Sequence, residues 1–232
     1  MTENPLRHPP FTLAWSSRVF STLAFHMQAV AVGWQVYSLT GRAFDLGLVG
    51  LAQFLPMILL TLLVGHAADR YNRRTIVSVC QFVEGAAAAT LVLGSFGGWL
   101  SLERILAIVA VGAAGRAFEG PTISALMPSL VPRPLIPRAS AWLASANQTA
   151  QIVGPALGGL LYALGPTAAF GTGAALFMLA AVFAALVPGT RADRARDPVL
   201  SSRSSPGWCS SARTGSCSAS SRSTSSPSSS AA

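Results

Sequence analysis

The sequence predicts an all-α membrane protein with six transmembrane helices, and three observations support this fold class. Hydrophobic residues make up 51% of the 232-residue chain and charged residues only 10%, which is unlike a soluble domain. Six largely apolar runs approach the roughly 20 residues that a helix needs to cross a hydrocarbon core. The arginines concentrate in alternate connections between these runs, as expected of a protein that crosses the membrane several times.

The apolar runs divide the chain into a short leader and one membrane domain. Residues 1–11 are predicted to be a polar cytoplasmic leader, and residues 12–189 the membrane domain. The first run is expected to stay in the protein as a helix, because no small-residue cleavage site follows it. The six spans are predicted at about residues 19–39, 46–64, 75–99, 105–127, 141–164 and 168–187.

Loop charge predicts the orientation. The leader, the loop between the second and third spans, the loop between the fourth and fifth, and the tail hold nearly all the loop arginines. The opposite loops offer only Arg42 beside Asp45 and Arg104 beside Glu103. Because positive charge is retained on the cytoplasmic side, we expect a multi-pass protein of a bacterial-type inner membrane with both termini in the cytoplasm.

Residues 190–232 differ in composition from the rest of the chain. They are rich in Ser and Arg and nearly free of aliphatic residues, which predicts a disordered cytoplasmic tail. One hypothesis is that this segment is an out-of-frame translation of a GC-rich gene. Translation of the other two frames past codon 199 would then yield further apolar spans.

Several function classes are disfavoured. The net charge of +8 could suggest nucleic acid, but the arginines lie in loops and in the tail and form no basic helical face. The three cysteines lack metal-ligand spacing, so neither a metal site nor a cofactor is predicted. No clustered His, Cys or paired acids have catalytic spacing, so we expect a protein that is not an enzyme.

Ionisable and amide side chains inside the spans are the candidates for chemistry. A charge at membrane depth needs a partner or a water-filled cavity, which singles out Glu84, Arg116 and Glu119. Arg116 and Glu119 share a helical face and can pair. The three could line a substrate or proton pathway, or the pair could merely orient helices. Gln28 and Gln35, two turns apart on one face, could bind substrate, although contacts with neighbouring helices are the preferred interpretation.

The polar stretch between the second and third spans resembles the signature loop of the major facilitator superfamily of secondary transporters. The family pattern is G-x-x-x-D-[RK]-x-G-[RK]-[RK], and the matching residues are Gly65, Asp69, Arg70, Arg73 and Arg74. Asn72 replaces the usual glycine of the pattern. The resemblance implies that Asp69, Arg70 and Arg74 belong to a charge network that locks the outward-facing state. An ordinary positive-inside loop is the alternative.

Two further segments carry the same resemblance. The run from Gly154 and Pro155 to Gly158 and Gly159 predicts close helix packing, since its small residues let another helix approach. It resembles the Gly-Pro-x-x-Gly-Gly element on the fifth helix of drug exporters and antiporters in the superfamily. The Val-Gly-Trp-Gln-Val-Tyr-Ser-Leu-Thr-Gly sequence of the first span resembles the efflux branch that includes the enterobactin exporter.

The resemblance covers about residues 12–197 and implies the N-terminal six-helix half of such a transporter, built as two inverted three-helix repeats. It also implies proton-coupled efflux of a drug-like or siderophore-like small molecule by alternating access. The lipid bilayer, the small-molecule substrate and a missing C-terminal half or a homodimer partner would then be the partners. A truncated membrane fragment that does not transport is the alternative.

Overall fold

Six α-helices account for most of the chain that the structure describes. The computed structural model describes residues 9–70 and 73–187, and these ranges contain no strand. The helices are α1 (Pro9–Thr40), α2 (Ala43–Arg70), α3 (Arg73–Gly97), α4 (Leu102–Leu130), α5 (Ile136–Ala163) and α6 (Pro166–Leu186). The predicted all-α class is confirmed for these ranges. Residues 1–8 of the predicted leader and the whole of the predicted tail lie outside the described residues.

Most of the helices extend beyond the predicted apolar spans. Helix α1 begins at Pro9, because proline suits the first turn of a helix, where its missing N–H group has no intrahelical partner. Arg18 therefore lies in the third turn of α1 and not at its edge. Helices α2, α4 and α5 continue through Pro56, Pro121 and Pro155, respectively.

Short glycine turns join the helices at one end of the bundle. Residues 41–42 connect α1 to α2, residues 98–101 connect α3 to α4, and residues 164–165 connect α5 to α6. Each turn contains one glycine with a positive φ angle: Gly41 at 63°, Gly98 at 65° and Gly165 at 134°. Glycine is needed there because a Cβ atom disfavours this backbone conformation.

The helices pack in a pattern that repeats between the two halves of the bundle. Helix α1 packs on α5 and α6, helix α4 packs on α2 and α3, and α3 also packs on α6. When α1, α2 and α3 are matched in order with α4, α5 and α6, the α1–α5 contact corresponds to the α4–α2 contact. In the same way, the α1–α6 contact corresponds to the α4–α3 contact. Helices α1 and α4 also contact each other, which brings their polar residues together.

Apolar clusters lie on both sides of the polar residues. One cluster includes Phe11, Val77 and Ile123 near the start of α1, and another includes Val36 and Phe170 near the glycine turns. The polar side chains of α1, α3 and α4 lie between these clusters. This arrangement keeps them away from both ends of the bundle.

Three of the six helices meet a length and apolarity criterion for crossing a membrane. They are α2 over Ala43–Leu60, α3 over Arg73–Gly97 and α6 over Pro166–Leu186. Helices α1, α4 and α5 are long enough, at 32, 29 and 28 residues, but their described residues do not reach the apolarity that the criterion requires. Membrane crossing by these three helices remains a prediction, and so does the inverted-repeat arrangement.

Candidate functional site

The centre of the polar region is the carboxylate of Glu119 on α4, which is completely buried. The Ser21 hydroxyl of α1 donates a hydrogen bond to Glu119 Oε1 at 2.7 Å, and Gln81 Nε2 of α3 donates to the same oxygen at 2.9 Å. Arg116 Nη1 donates to the other oxygen, Oε2, at 2.7 Å. One carboxylate therefore ties three helices together.

Two arginines share Glu119 as their counter-charge. Arg116 is its i−3 neighbour, as the sequence spacing indicated, and Arg18 Nη1 of α1 lies 3.4 Å from Glu119 Oε2. Arg116 Nη1 also donates to the Ser21 hydroxyl oxygen at 2.9 Å, and its guanidinium carbon lies 4.5 Å from the centre of the Phe25 ring. Glu119 thus has the several hydrogen bonds and opposite charges that a buried carboxylate requires.

Arg18 and Gln81 belong to this network although the sequence analysis did not select them. Arg18 directly precedes the first predicted span, about residues 19–39, and only the earlier start of α1 at Pro9 places it inside a helix. Gln81 lies three residues before Glu84, which puts both on one face of α3. This three-residue separation from Glu84, within an otherwise apolar run, is the sequence feature that could have identified Gln81 as a site residue.

The second buried carboxylate, Glu84 on α3, has a different environment. Its residue is 4% exposed, and neither carboxylate oxygen has a hydrogen-bond donor among the described residues. It lies within electrostatic range of Glu119, Arg116 and Arg18, which are already engaged with one another. A buried polar group without a donor is costly, which makes Glu84 a candidate for binding a proton or a ligand.

Glu84 lines a cavity inside the bundle. The cavity has a volume of about 50 Å³, enough for a few water molecules. Gln28 of α1 and Gln53 of α2 line it together with Glu84, and most of the remaining wall is apolar, including the rings of Phe25 and Phe177. The cavity therefore brings together polar side chains from three helices. Gln53, an isolated amide in an apolar run, was not among the predicted site residues.

Gln35 does not share this site with Gln28. The hydroxyl of Tyr162 on α5 donates a hydrogen bond to Gln35 Oε1 at 3.2 Å. The Gln35 amide thus joins α1 to α5, whereas Gln28 faces the cavity.

The small residues of α5 lie against α1. A Cβ atom added to Gly154 would lie 2.6 Å from His26 Cβ, and one added to Gly158 would lie 2.9 Å from Met27 Cα. No side chain fits at these separations, so both glycines are required for the close approach of the two helices. Gly159 has no such neighbour within 4 Å, and Pro155 lies within the continuous helix.

The signature stretch is helical over most of its length. Gly65, Asp69 and Arg70 lie in the last turns of α2, and their side-chain surroundings fall outside the described part of the structure. Arg73 and Arg74 begin α3. The Arg74 guanidinium donates to the carbonyl oxygen of Ala185 in the last turn of α6, where a cation complements the helix dipole.

Comparison with known proteins identifies the class of this bundle. The sequence model of a family described as transmembrane secretion effectors matches residues 2–222, which is most of the chain. The chain therefore belongs to the major facilitator superfamily, whose members are secondary transporters. Within that superfamily, the chain belongs to the transmembrane secretion effector family. The predicted superfamily is thus confirmed.

Individual relatives are efflux proteins. Macrolide efflux protein A of Streptococcus pyogenes is 26% identical over 154 residues, which cover 66% of this chain and 38% of the relative. Multidrug efflux pump Tap of Mycobacterium tuberculosis is 28% identical over 166 residues, covering 69% and 39%. Enterobactin exporter EntS of Citrobacter koseri is 27% identical over 168 residues, also covering 69% and 39%. The chain spans about two-fifths of the length of these relatives, and the predicted likeness to drug and siderophore exporters is confirmed.

Proposed function

We propose that the chain forms one half of a transporter that exports a drug-like or siderophore-like small molecule by proton-driven alternating access. The named relatives export macrolides, multiple drugs and enterobactin, which supports efflux of an organic small molecule. Because the chain spans about two-fifths of each relative, the proposal includes a second half, either a C-terminal half or a second copy.

The main observation behind this proposal is that the carboxylate of Glu84 is buried without a hydrogen-bond donor among the described residues. A carboxylate inside a membrane-spanning bundle is expensive unless a proton, a ligand or water offsets its burial. Glu84 has no donor among the described residues and borders a cavity with two amide side chains. Glu119, in contrast, is fully paired and acts as the structural anchor. Glu84 is therefore the proposed proton site, and Gln28 is a proposed substrate contact.

The inverted-repeat architecture and the orientation are parts of the same proposal. The contacts of α1 with α5 and α6 match those of α4 with α2 and α3, which supports two three-helix repeats. The arginine distribution supports cytoplasmic termini in a bacterial inner membrane. Asp69, Arg70 and Arg74 are proposed to form the gating network, and the contact of Arg74 with α6 would tie that network to this half.

A vesicle assay tests transport. Everted inner-membrane vesicles containing the chain are given an acidic interior, and uptake of a radiolabelled macrolide or of enterobactin is measured. We expect uptake that depends on the pH gradient, at least about tenfold slower in Glu84→Gln because that variant cannot exchange a proton. Asp69→Asn is expected to slow uptake as well. Glu103→Gln removes an exposed carboxylate at the start of α4 and should leave uptake unchanged.

The outcomes separate the candidate functions. Gradient-driven uptake that survives Glu84→Gln would contradict the assignment of the proton site. If neither compound is taken up by the wild-type chain, the alternative of a non-transporting membrane fragment is favoured.

A further inference from the structure

We propose that Phe25 of α1 is a specificity-determining residue: its ring keeps the Arg116 guanidinium out of the cavity beside Glu84, and this excludes organic anions from the cavity. The inference rests on the proposed function and deepens it, since it names a residue that selects the charge of the transported molecule. Its basis is the position of one ring between two sets of polar groups.

The ring of Phe25 contacts both the ion-pair network and the cavity. The guanidinium carbon of Arg116 lies 4.5 Å from the centre of this ring, which is the geometry of a cation–π contact. The same ring forms part of the cavity wall together with Glu84 and Gln28, whereas Arg116 does not line the cavity. The ring of Phe25 therefore separates the guanidinium from the cavity.

Arg116 has hydrogen-bonding capacity that the network does not use. Its hydrogen bonds to described residues, Ser21 and Glu119, both start from Nη1. A guanidinium carries further N–H donors on Nε and Nη2, which suit the oxygens of an anion. Both carboxylate oxygens of Glu84 lack a donor in the described ranges. Unused donors and unused acceptors thus lie on opposite sides of one ring.

Neighbouring side chains hold the ring of Phe25 in place. The His26 ring meets it edge-on, with 5.4 Å between the ring centres and 75° between the planes. His26 is itself fixed by α5, since a Cβ atom added to Gly154 would lie 2.6 Å from His26 Cβ. Phe25 also packs against the buried cluster that includes Ala88 and Phe177. A ring packed on two sides is a fixed part of the wall.

This wall disfavours an anion in the cavity. With the ring in place, an anion would meet the carboxylate of Glu84 and no guanidinium donor. Burial of a charge without a partner is costly. Without the ring, the anion could bind Arg116 through charge-assisted hydrogen bonds. The exclusion of anions therefore depends on Phe25 as well as on the charge of Glu84.

Ligand binding to the chain in lipid nanodiscs tests the inference without requiring transport. Glu84→Gln is the background, because it removes the carboxylate that would itself repel an anion. Saturation-transfer difference NMR compares benzoate with its neutral isostere benzamide, whose rings match the side chain removed in Phe25→Ala. We expect Phe25→Ala/Glu84→Gln to bind benzoate at least about tenfold more tightly than benzamide, since the anion gains charge-assisted hydrogen bonds to Arg116.

Phe177→Ala/Glu84→Gln is the matched control. Phe177 lines the same cavity, and its removal creates a similar space. Among the described residues, however, Phe25 is the ring of this wall that lies against an arginine. The control and Glu84→Gln alone should therefore show no preference for benzoate. If Phe25→Ala folds poorly, Phe25→Val in the same background is a milder truncation with the same expected preference.

A benzoate preference in the control or in Glu84→Gln alone, or its absence in both Phe25 variants, would overturn the inference. Vesicle uptake without a benzoate preference in the Phe25 variants would refute this inference and leave the transport proposal intact. A benzoate preference confined to the Phe25 variants, without any uptake by the wild-type chain, would support the role of Phe25 and refute transport.

Discussion

At the scale of single residues, the polar region contains two buried glutamates that differ in their hydrogen-bond and ion-pair partners. Glu119 accepts hydrogen bonds from Ser21, Gln81 and Arg116 and has Arg18 as a second cation. Removing it would leave two arginines in the bundle without their shared anion. Buried cations that lose a counter-charge destabilise a protein far more than an exposed ion pair stabilises it.

Glu119→Ala should therefore lower the free energy of unfolding by about 3–5 kcal/mol. Thermal or chemical unfolding of the purified chain in detergent micelles measures this difference. Glu103→Ala, at an exposed position of the same helix, should change stability by no more than about 0.5 kcal/mol. Equal effects of the two substitutions would show that Glu119 is not the anchor of the network.

The pairing of Arg116 with Glu119 could be predicted from the sequence, since a separation of three residues on a helix brings side chains together. The contribution of Arg18 could not, because it depends on where α1 begins and on how α1 crosses α4. Sequence spacing within one helix carries no information about such crossings. The cavity formed by Gln28, Gln53 and Glu84 was hidden for the same reason.

At the scale of helices, polarity and packing are linked. Helices α1 and α4 carry most of the buried polar network and fall short of the apolarity of α2 and α6. Their polar groups bond with each other inside the bundle instead of facing lipid. This is why α1 and α4 fall below an apolarity criterion that α2, α3 and α6 meet. The ends of the helices were predicted less well, because most helices continue beyond the apolar runs from which the spans were predicted.

The close contact between α1 and α5 predicts that substitutions at the adjacent residues Gly158 and Gly159 differ in their effect on stability. Gly158→Val should destabilise the bundle by about 1–3 kcal/mol, since its side chain would overlap the backbone of Met27. Gly159→Val is the matched control, because the space around that position is open. Melting temperatures of both variants in the same detergent provide the comparison. If Gly159→Val proves the more damaging, the packing described for α5 is incorrect.

At the scale of the whole bundle, the charge distribution predicts its orientation in the membrane. A cysteine at Arg42 should react with a membrane-impermeant maleimide in intact cells, while a cysteine at Arg138 should react only after the membrane is opened. Both positions are exposed, so burial cannot explain a difference between them. Cys80, Cys209 and Cys217 are first replaced by serine. Labelling of Arg138→Cys in intact cells would reverse the proposed orientation.

The glycine turns at one end of the bundle have a consequence for the outer surface of the cell. They contain two, four and two residues. If all six helices cross the bilayer as proposed, these turns expose almost no peptide on that side. Extracellular proteases need a flexible segment of several residues to bind and cut. With the proposed orientation, trypsin added to intact cells should leave these turns uncut despite Arg42 and Arg104, and antibodies would find few epitopes there.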